Sequence, residues 1–283
     1  MSRILGIGIA TLDIINTVDG YPKEDAEVRA ERQQLRRGGN CTNTLVVLSQ
    51  LGHHCAWGGV LTSDSSSNYI RDDLEKHHID LSNIHNLNKG KIPTSYITLN
   101  RRNGSRTIVH YRDLREFDYE DFTRINLQDY DWLHFEGRNV PETQRMMQRA
   151  KEIAPHIPRS VEIEKPRADI EKLFVDIDVI LFSRHYALAR GYDDPQRFIT
   201  DIAKETSERM RFLTWGEAGA YALDGEDRML HSPAYPPPQL IDTVGAGDAF
   251  TAMLTCGLSR GLSLRESAPS AARLAAWVVS LKT

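Results

Sequence analysis

Two glycines, an alanine and an aspartate stand together in Gly245-Ala246-Gly247-Asp248. Ile241-Asp242-Thr243-Val244 precedes them, and the apolar run Ala249-Phe250-Thr251-Ala252-Met253-Leu254 follows. The pattern predicts a loop entering a helix. Glycine lets a backbone approach a ligand closely and take up positive φ. The first N–H groups of a helix have no partner inside it, and the dipole there favours anions. Such a loop can hold a phosphate. A carboxylate is a poor phosphate ligand, so Asp248 suits another task, general base for a hydroxyl that attacks that phosphate. The residues alone also allow a plain tight turn with Asp248 as the helix N-cap.

A second group lies near the other end of the chain. Arg36-Arg37-Gly38-Gly39-Asn40-Cys41-Thr42-Asn43 leads into Leu45, Leu48 and Leu51, a spacing of three that predicts a helix ended by Gly52. Asn40 and Asn43 share one face of its first turn, and their amides offer donors and acceptors that suit sugar hydroxyls. Asn40 also reads as the cap of that helix. Asp13 sits among Leu12, Ile14 and Ile15 after the strand-like Ile4 to Ile9. A carboxylate in such a setting is costly unless paired or used, which makes it a candidate ligand. No cluster of arginines or lysines adjoins these residues in sequence, although Arg36 and Arg37 lie just upstream. That argues against an already phosphorylated sugar, which would call for a cationic clamp.

The elements that must position these groups follow a βα rhythm. Strands are expected at Cys55 to Leu61, Trp132 to Phe135, Ser160 to Ile163, Val179 to Phe182 and Arg211 to Thr214. Helices are expected at Tyr69 to His77, Glu142 to Ile153 and Phe198 to Glu208. Alternation of this kind implies a parallel sheet covered on both faces, with ligands at the carboxyl ends of its strands. Polar residues stand just there: Glu136-Gly137-Arg138-Asn139, Glu164-Lys165-Pro166-Arg167 and Trp215-Gly216-Glu217. Ser95 to Leu99 and Ser105 to Val109 flank Asn103-Gly104, a strong hairpin signal. A hairpin is foreign to a βα rhythm, so it is expected outside the main sheet, in a small lid from which Arg106 projects. A second hairpin is expected around Gly225.

Composition narrows the classes. The chain has 283 residues and a net charge of −4, with no basic stripe, which argues against a nucleic-acid partner. No apolar run is long enough to span a membrane, and the first residues lack a signal peptide's pattern. Cys41, Cys55 and Cys256 are scattered and form no zinc pattern, so reduced thiols in the cytoplasm are expected. The glycine loop lacks the lysine of a P-loop, and Gly6-x-Gly8 lacks the third glycine of a dinucleotide fingerprint.

Gly38-Gly39-Asn40 with Asn43, followed late in the chain by Asp242-Thr243-Val244-Gly245-Ala246-Gly247-Asp248, resembles the two signatures of the ribokinase-like (PfkB) carbohydrate kinases. Tyr21-Pro22-Lys23-Glu24-Asp25, Gly104 to Ile108, Glu136 to Asn139, Val161 to Arg167 and Pro236-Pro237-Pro238 look like the ketohexokinase branch, which phosphorylates fructose at its 1-hydroxyl. The resemblance covers nearly the whole chain. It implies an α/β fold of ribokinase-like type over 1–283: a central, mostly parallel sheet flanked by helices, with a small β-sheet lid drawn from about 10–37 and 93–112. It also implies a homodimer through that lid. Asp13, Gly39, Asn40, Asn43 and Arg106 would bind the sugar. Asp248 would be the base, and Gly245, Ala246 and Gly247 the anion hole. Trp215, Gly216, Glu217 and Gly219 would lie on the ATP side. ATP would be the donor, with magnesium held through its phosphates and water.

Two departures stand out. Many family members carry Asn-x-x-Glu where this chain reads Ser183-Arg184-His185-Tyr186. The glycine-rich C-terminal segment that helps to form the adenine wall and a potassium site is replaced by Ala276-Trp277-Val278-Val279-Ser280-Leu281-Lys282-Thr283. Either the chain is cut short or those sites are built differently. Asp242 and Thr243 keep the other half of the cation site, so potassium is a candidate ligand there. Alternatives to a fructose kinase are a family kinase for ribose, a nucleoside or a keto-deoxy sugar acid, or a sugar-binding regulator without turnover.

Overall fold

The computed structural model describes residues 1–206, 209–239 and 244–281. Its main sheet follows from the apolar runs. Strands β1 (Arg3–Ile7), β4 (His54–Gly58), β6 (Ile79–Asp80), β10 (Trp132–Glu136), β11 (Arg159–Ile163), β12 (Val179–Ser183) and β13 (Met210–Thr214) are all parallel. Two further strands, β14 (Ala220–Leu223) and β15 (Met229–Ser232), close one edge antiparallel. The spatial order is β15-β14-β13-β12-β11-β10-β1-β4-β6. The hairpin around Gly225 thus extends the main sheet.

Neighbouring strand residues point to opposite faces, and each face is packed by helices. Ile4, Trp57, Leu181 and Phe212 meet Leu45 and Leu48 of α1 (Asn40–Gln50), Phe250 and Leu254 of α7 (Ala246–Ser259), and Ala271 of α8 (Leu264–Val278). On the other face Leu5, Phe135, Val161 and Phe182 meet Phe122 of α3 (Tyr119–Phe122) and Met146 and Met147 of α4 (Val140–Ile153). Phe198 of α6 (Pro195–Ile202) packs there too. Each such side chain, fully buried, contributes roughly 1.5–3 kcal/mol.

Several boundaries differ from the periodicity. The strand expected from Cys55 to Leu61 breaks at Gly58-Gly59, and its second half, β5 (Val60–Thr62), pairs instead with β7 (His85–Leu87). Helix α2 (Ser65–Lys76) begins four residues early because the Asp64 carboxylate accepts from the Ser67 N–H. In the same way Asp194 caps α6, with Pro195 in its first turn, so that helix starts and stops ahead of the expected span.

A separate four-stranded sheet runs β3-β2-β8-β9, made of β2 (Thr11–Val18), β3 (Arg32–Gly38), β8 (Lys91–Asn100) and β9 (Arg106–Asp113). The Asn103-Gly104 hairpin joins β8 to β9. Its outer pairs are antiparallel, whereas β2 and β8 run parallel. Asp13 therefore lies inside β2 of this sheet.

Candidate active site

Two cavities meet at the N-terminus of α7. The cap of that helix is Gly245, with φ +80°, and Ala246, Gly247 and Asp248 are its first three residues. Asp248 is thus not the N-cap. Ala246, Gly247 and Phe250 line one cavity of about 660 Å³, while Val244 lines the other, of about 540 Å³. A side chain at Gly247 would meet nothing within 4 Å, so the backbone there is open to a ligand.

Asp248 is only 8% exposed. Its Oδ2 accepts a 2.7 Å hydrogen bond from Nδ2 of Asn43, in the first turn of α1. Burial raises the Asp248 pKa to about 7. The Asn43 bond opposes that rise, and the Glu136 and Glu164 charges add to it. Asn43 Oδ1 in turn accepts from Arg37 Nη1 at 2.6 Å, and Arg37 Nε pairs with Asp73 at 2.6 Å. Helix α2 thereby braces the Arg37–Asn43–Asp248 chain.

Asn40, one turn earlier, is not the cap of α1 either, since Gly39 occupies that place with φ +108°. A Cβ on Gly39 would stand 2.2 Å from the Ile9 carbonyl oxygen, so only glycine fits. Asn40 Nδ2 donates to Glu162 Oε1 at 3.1 Å, and Glu162 Oε2 has no hydrogen-bond partner among the described residues. Burial, with Asp248 and Glu136 nearby, pushes the Glu162 carboxyl well above the usual carboxylate range. Glu136 Oε2 accepts from the Ile9 N–H at 3.0 Å, and burial raises its pKa too. Two buried acids at the ends of β10 and β11 thus lie near Asp248.

Asp13, Gly39, Asn40, Asn43 and Arg106 line the smaller cavity together. Asp13 Oδ1 accepts from Thr11 Oγ1 at 3.0 Å. The cavity is more cationic than the sequence suggests. Arg36 and Arg37 of β3, Arg106 and Arg112 of β9, Arg138 after β10, and Lys165 and Arg167 after β11 all line it. Glu116 pairs with both Arg112 and Arg138. No two of these segments adjoin in the chain, so no local charge cluster announces them. The argument against an anionic sugar, made from the absence of such a cluster, loses its basis here.

Gly216, Glu217 and Gly219 line the larger cavity beside Ala246 and Gly247, with Tyr235 and Pro236 near them. Its outer wall is apolar, from Ala272, Ala275 and Ala276 of α8 and from Val279. Of the stretch that replaces the family's glycine-rich segment, Ala276 and Val279 line this wall. Trp215 is 7% exposed, packs into the core and does not line the cavity. Asp242 and Thr243, the candidate cation residues, lie outside the described residues. The described residues bring no three His, Cys, Asp or Glu side chains together as a metal site.

Comparison with known proteins fits this geometry. The pfkB family carbohydrate kinase pattern matches residues 1–282. Ketohexokinase of Mus musculus is 37% identical over 273 residues, covering 94% of this chain and 92% of that protein. ATP-dependent 6-phosphofructokinase of Thermoanaerobacterium thermosaccharolyticum is 22% identical, covering 93% of this chain and 84% of its own length. Arabidopsis thaliana ribokinase, solved with ribose and ATP, superposes with a TM-score of 0.83 at 18% identity, covering 100% of this chain and 94% of that one. The chain belongs to the pfkB family of carbohydrate kinases and is an ATP-dependent sugar kinase on the ribokinase-like fold.

Proposed function

We propose that the protein transfers the γ-phosphate of ATP to the 1-hydroxyl of fructose. The observation that carries this reading is the position of Asp248, a buried carboxylate bonded to Asn43 of the polar cleft, which Asp13 and Asn40 also line, and next in the chain to Gly247 of the apolar cleft. The identity with a ketohexokinase supports the choice of sugar. Asp13, Gly39, Asn40 and Asn43 bind the ketose, and Arg106 reaches over it from the small sheet, which serves as a lid. The N–H groups of Gly245, Ala246 and Gly247 hold the phosphates. Glu217 and the Gly216 and Gly219 backbones border the nucleotide, while Trp215 supports them from the core. Asp248 takes the proton of the attacking hydroxyl, and fixed charges around it stabilise the transferred group. Magnesium would be held through the nucleotide's phosphates and water. Potassium at Asp242 and Thr243 belongs to the same proposal. The three cysteines are buried and free, in keeping with a cytoplasmic site of action.

Incubation with ATP, magnesium and fructose, with the product assigned by phosphorus–proton NMR, tests the reading. Fructose 1-phosphate is the expected product, and 1-deoxyfructose should not react. A 6-phosphate product, or turnover of ribose with none of any ketose, would reject the assignment.

The cations of the polar cleft favour a second reading, a substrate with an anionic far end such as a keto-deoxy sugar acid or a phosphosugar. Running those substrates beside fructose in the same assay separates the two.

The lid also motivates a dimer. Cross-strand partners Leu35, Ile14, Tyr96 and Val109 form a row, while residues of opposite parity, Asp13, Ser95 and His110, line the sugar cleft. That outer row is largely exposed, Val109 at 66%. A second copy would cover it. Sedimentation at micromolar concentration should give a dimer, and a monomer there removes this part of the proposal.

A further inference from the structure

Arg184 follows Ser183, which stands where many family members carry the asparagine of Asn-x-x-Glu, and nothing so far gives this arginine a task. It opens α5 (Arg184–Ala189) directly after β12. Ser183 fixes that junction: its Oγ donates to the Glu164 carbonyl at 2.5 Å and accepts from the Tyr186 N–H at 3.0 Å. Strands β12 and β13 are parallel neighbours with Ser183 opposite Thr214, so Arg184 emerges beside Trp215 at the carboxyl end of the sheet. Thr214 and Gly216, on either side of Trp215, both line the nucleotide cleft.

The guanidinium carbon of Arg184 lies 5.4 Å from the centroid of the Trp215 ring. A Cβ built on Gly216 would find Arg184 Nη1 at 4.0 Å and nothing nearer. The cation therefore reaches the rim of the cleft, next to a glycine that lines it. No carboxylate pairs with it among the described residues. An indole platform holds a guanidinium by its face and leaves its N–H edge unoccupied. That edge carries donors in a planar fork suited to phosphoryl oxygens. Arg184 is exposed, so that edge is open to a ligand arriving at the rim.

We propose that Arg184, held on Trp215, is a phosphate-binding residue of the nucleotide site that grips the polyphosphate tail at the rim marked by Gly216. The proposal rests on the reading of the larger cavity as the nucleotide cleft. In the transfer, the bond from the sugar oxygen to the γ-phosphorus forms and the bond from that phosphorus to the β–γ bridging oxygen breaks. The hydroxyl proton passes to Asp248, and the departing ADP keeps the bridging electron pair. Arg184 offers positive charge to the tail as that charge develops. It also gives Trp215 a purpose: the indole positions the arginine and does not touch the nucleotide.

The test is calorimetric binding of ATP, ADP and adenosine to the parent protein, Arg184→Ala and Arg184→Lys, with thermal midpoints checked in parallel. Loss of charge-assisted hydrogen bonds should weaken ADP and ATP binding in Arg184→Ala by roughly ten- to a hundredfold. Adenosine binding should stay unchanged. Arg184→Lys should fall between, because it keeps the charge but not the fork. Steady-state KM for the sugar should not move in either variant. Unchanged ADP affinity in Arg184→Ala, or an equal loss of adenosine binding, overturns the inference and leaves the kinase reading standing. A parent protein that binds no adenine nucleotide overturns both.

Discussion

Asn43 donates a 2.7 Å hydrogen bond to the Asp248 carboxylate, joining the first turn of α1 to the first turn of α7 across 205 positions of chain. The amide cannot simply be a sugar ligand. One of its N–H groups is committed to the base and its oxygen is committed to Arg37, which leaves one N–H and one lone pair for a substrate. On the proposed reading Asn43 therefore couples sugar binding to the protonation state of Asp248.

A pH dependence follows. The proposed base Asp248 works only when ionised, and burial lifts its pKa to about 7. The kcat/KM of the free enzyme should climb with pH through that value and level off above it. Asn43 lowers the Asp248 pKa, so Asn43→Ala should move the climb to higher pH as well as raise KM for the sugar. A rise in KM alone, with an unmoved pH profile, would show that the two side chains are not coupled.

The same burial has a stability sign. The folded-state pKa of Asp248 lies above its unfolded value of 3.8. The folded state then holds the proton more tightly, and that contribution, present below the unfolded pKa, is lost as pH rises through about 7. Asp248→Asn removes the buried charge. It should lower kcat by roughly 10²–10⁴-fold and, above neutral pH, raise stability by on the order of a few kcal/mol. Thermal melts of parent and variant at acid and alkaline pH check the second part, where the gap between them must widen with pH. A parent-like kcat would make Asp248 a structural residue.

Gly39 gives a test of backbone geometry. With φ at +108° and the Ile9 carbonyl oxygen 2.2 Å from any added Cβ, Gly39→Ala must shift either the end of β3 or the start of α1. A cost of roughly 1–3 kcal/mol is expected for a residue forced into such a conformation, with activity lost because Asn40 and Asn43 move with the helix. Chemical denaturation and turnover measured together would expose a benign substitution.

Much of this was legible in the chain, and the limits are instructive. The alternation of apolar strands and helices follows from local periodicity, as do the Asn103-Gly104 hairpin and the glycine loop before Asp248. Pairings made by sheet order do not. Asn40 meets Glu162 only because α1 and β11 end on the same side of the sheet, 122 residues apart. The cations of the polar cleft come from β3, β9 and the loops after β10 and β11, and each looks like an ordinary surface charge in its own segment. Trp215 read as a ligand from its place after a strand, and its burial became visible only with α5 alongside.

Glu162 yields the last prediction. One of its oxygens accepts from Asn40, the other has no partner among the described residues, and burial holds the carboxyl well above the usual carboxylate range. In the protonated form that burial favours, one oxygen accepts and an O–H is there to donate. Glutamine reproduces that arrangement, since its carbonyl accepts from Asn40 and its amide donates in place of the O–H. Glu162→Gln should leave stability and sugar KM close to the parent. Glu162→Ala leaves the Asn40 amide unpaired beside a void, which should cost roughly 1–3 kcal/mol and raise the sugar KM as Asn40 loses its orientation. Melts and steady-state kinetics of both variants decide the matter. Equal damage from glutamine and alanine would mean that Glu162 works as an ionised carboxylate, and that the charge balance around Asp248 has to be drawn differently.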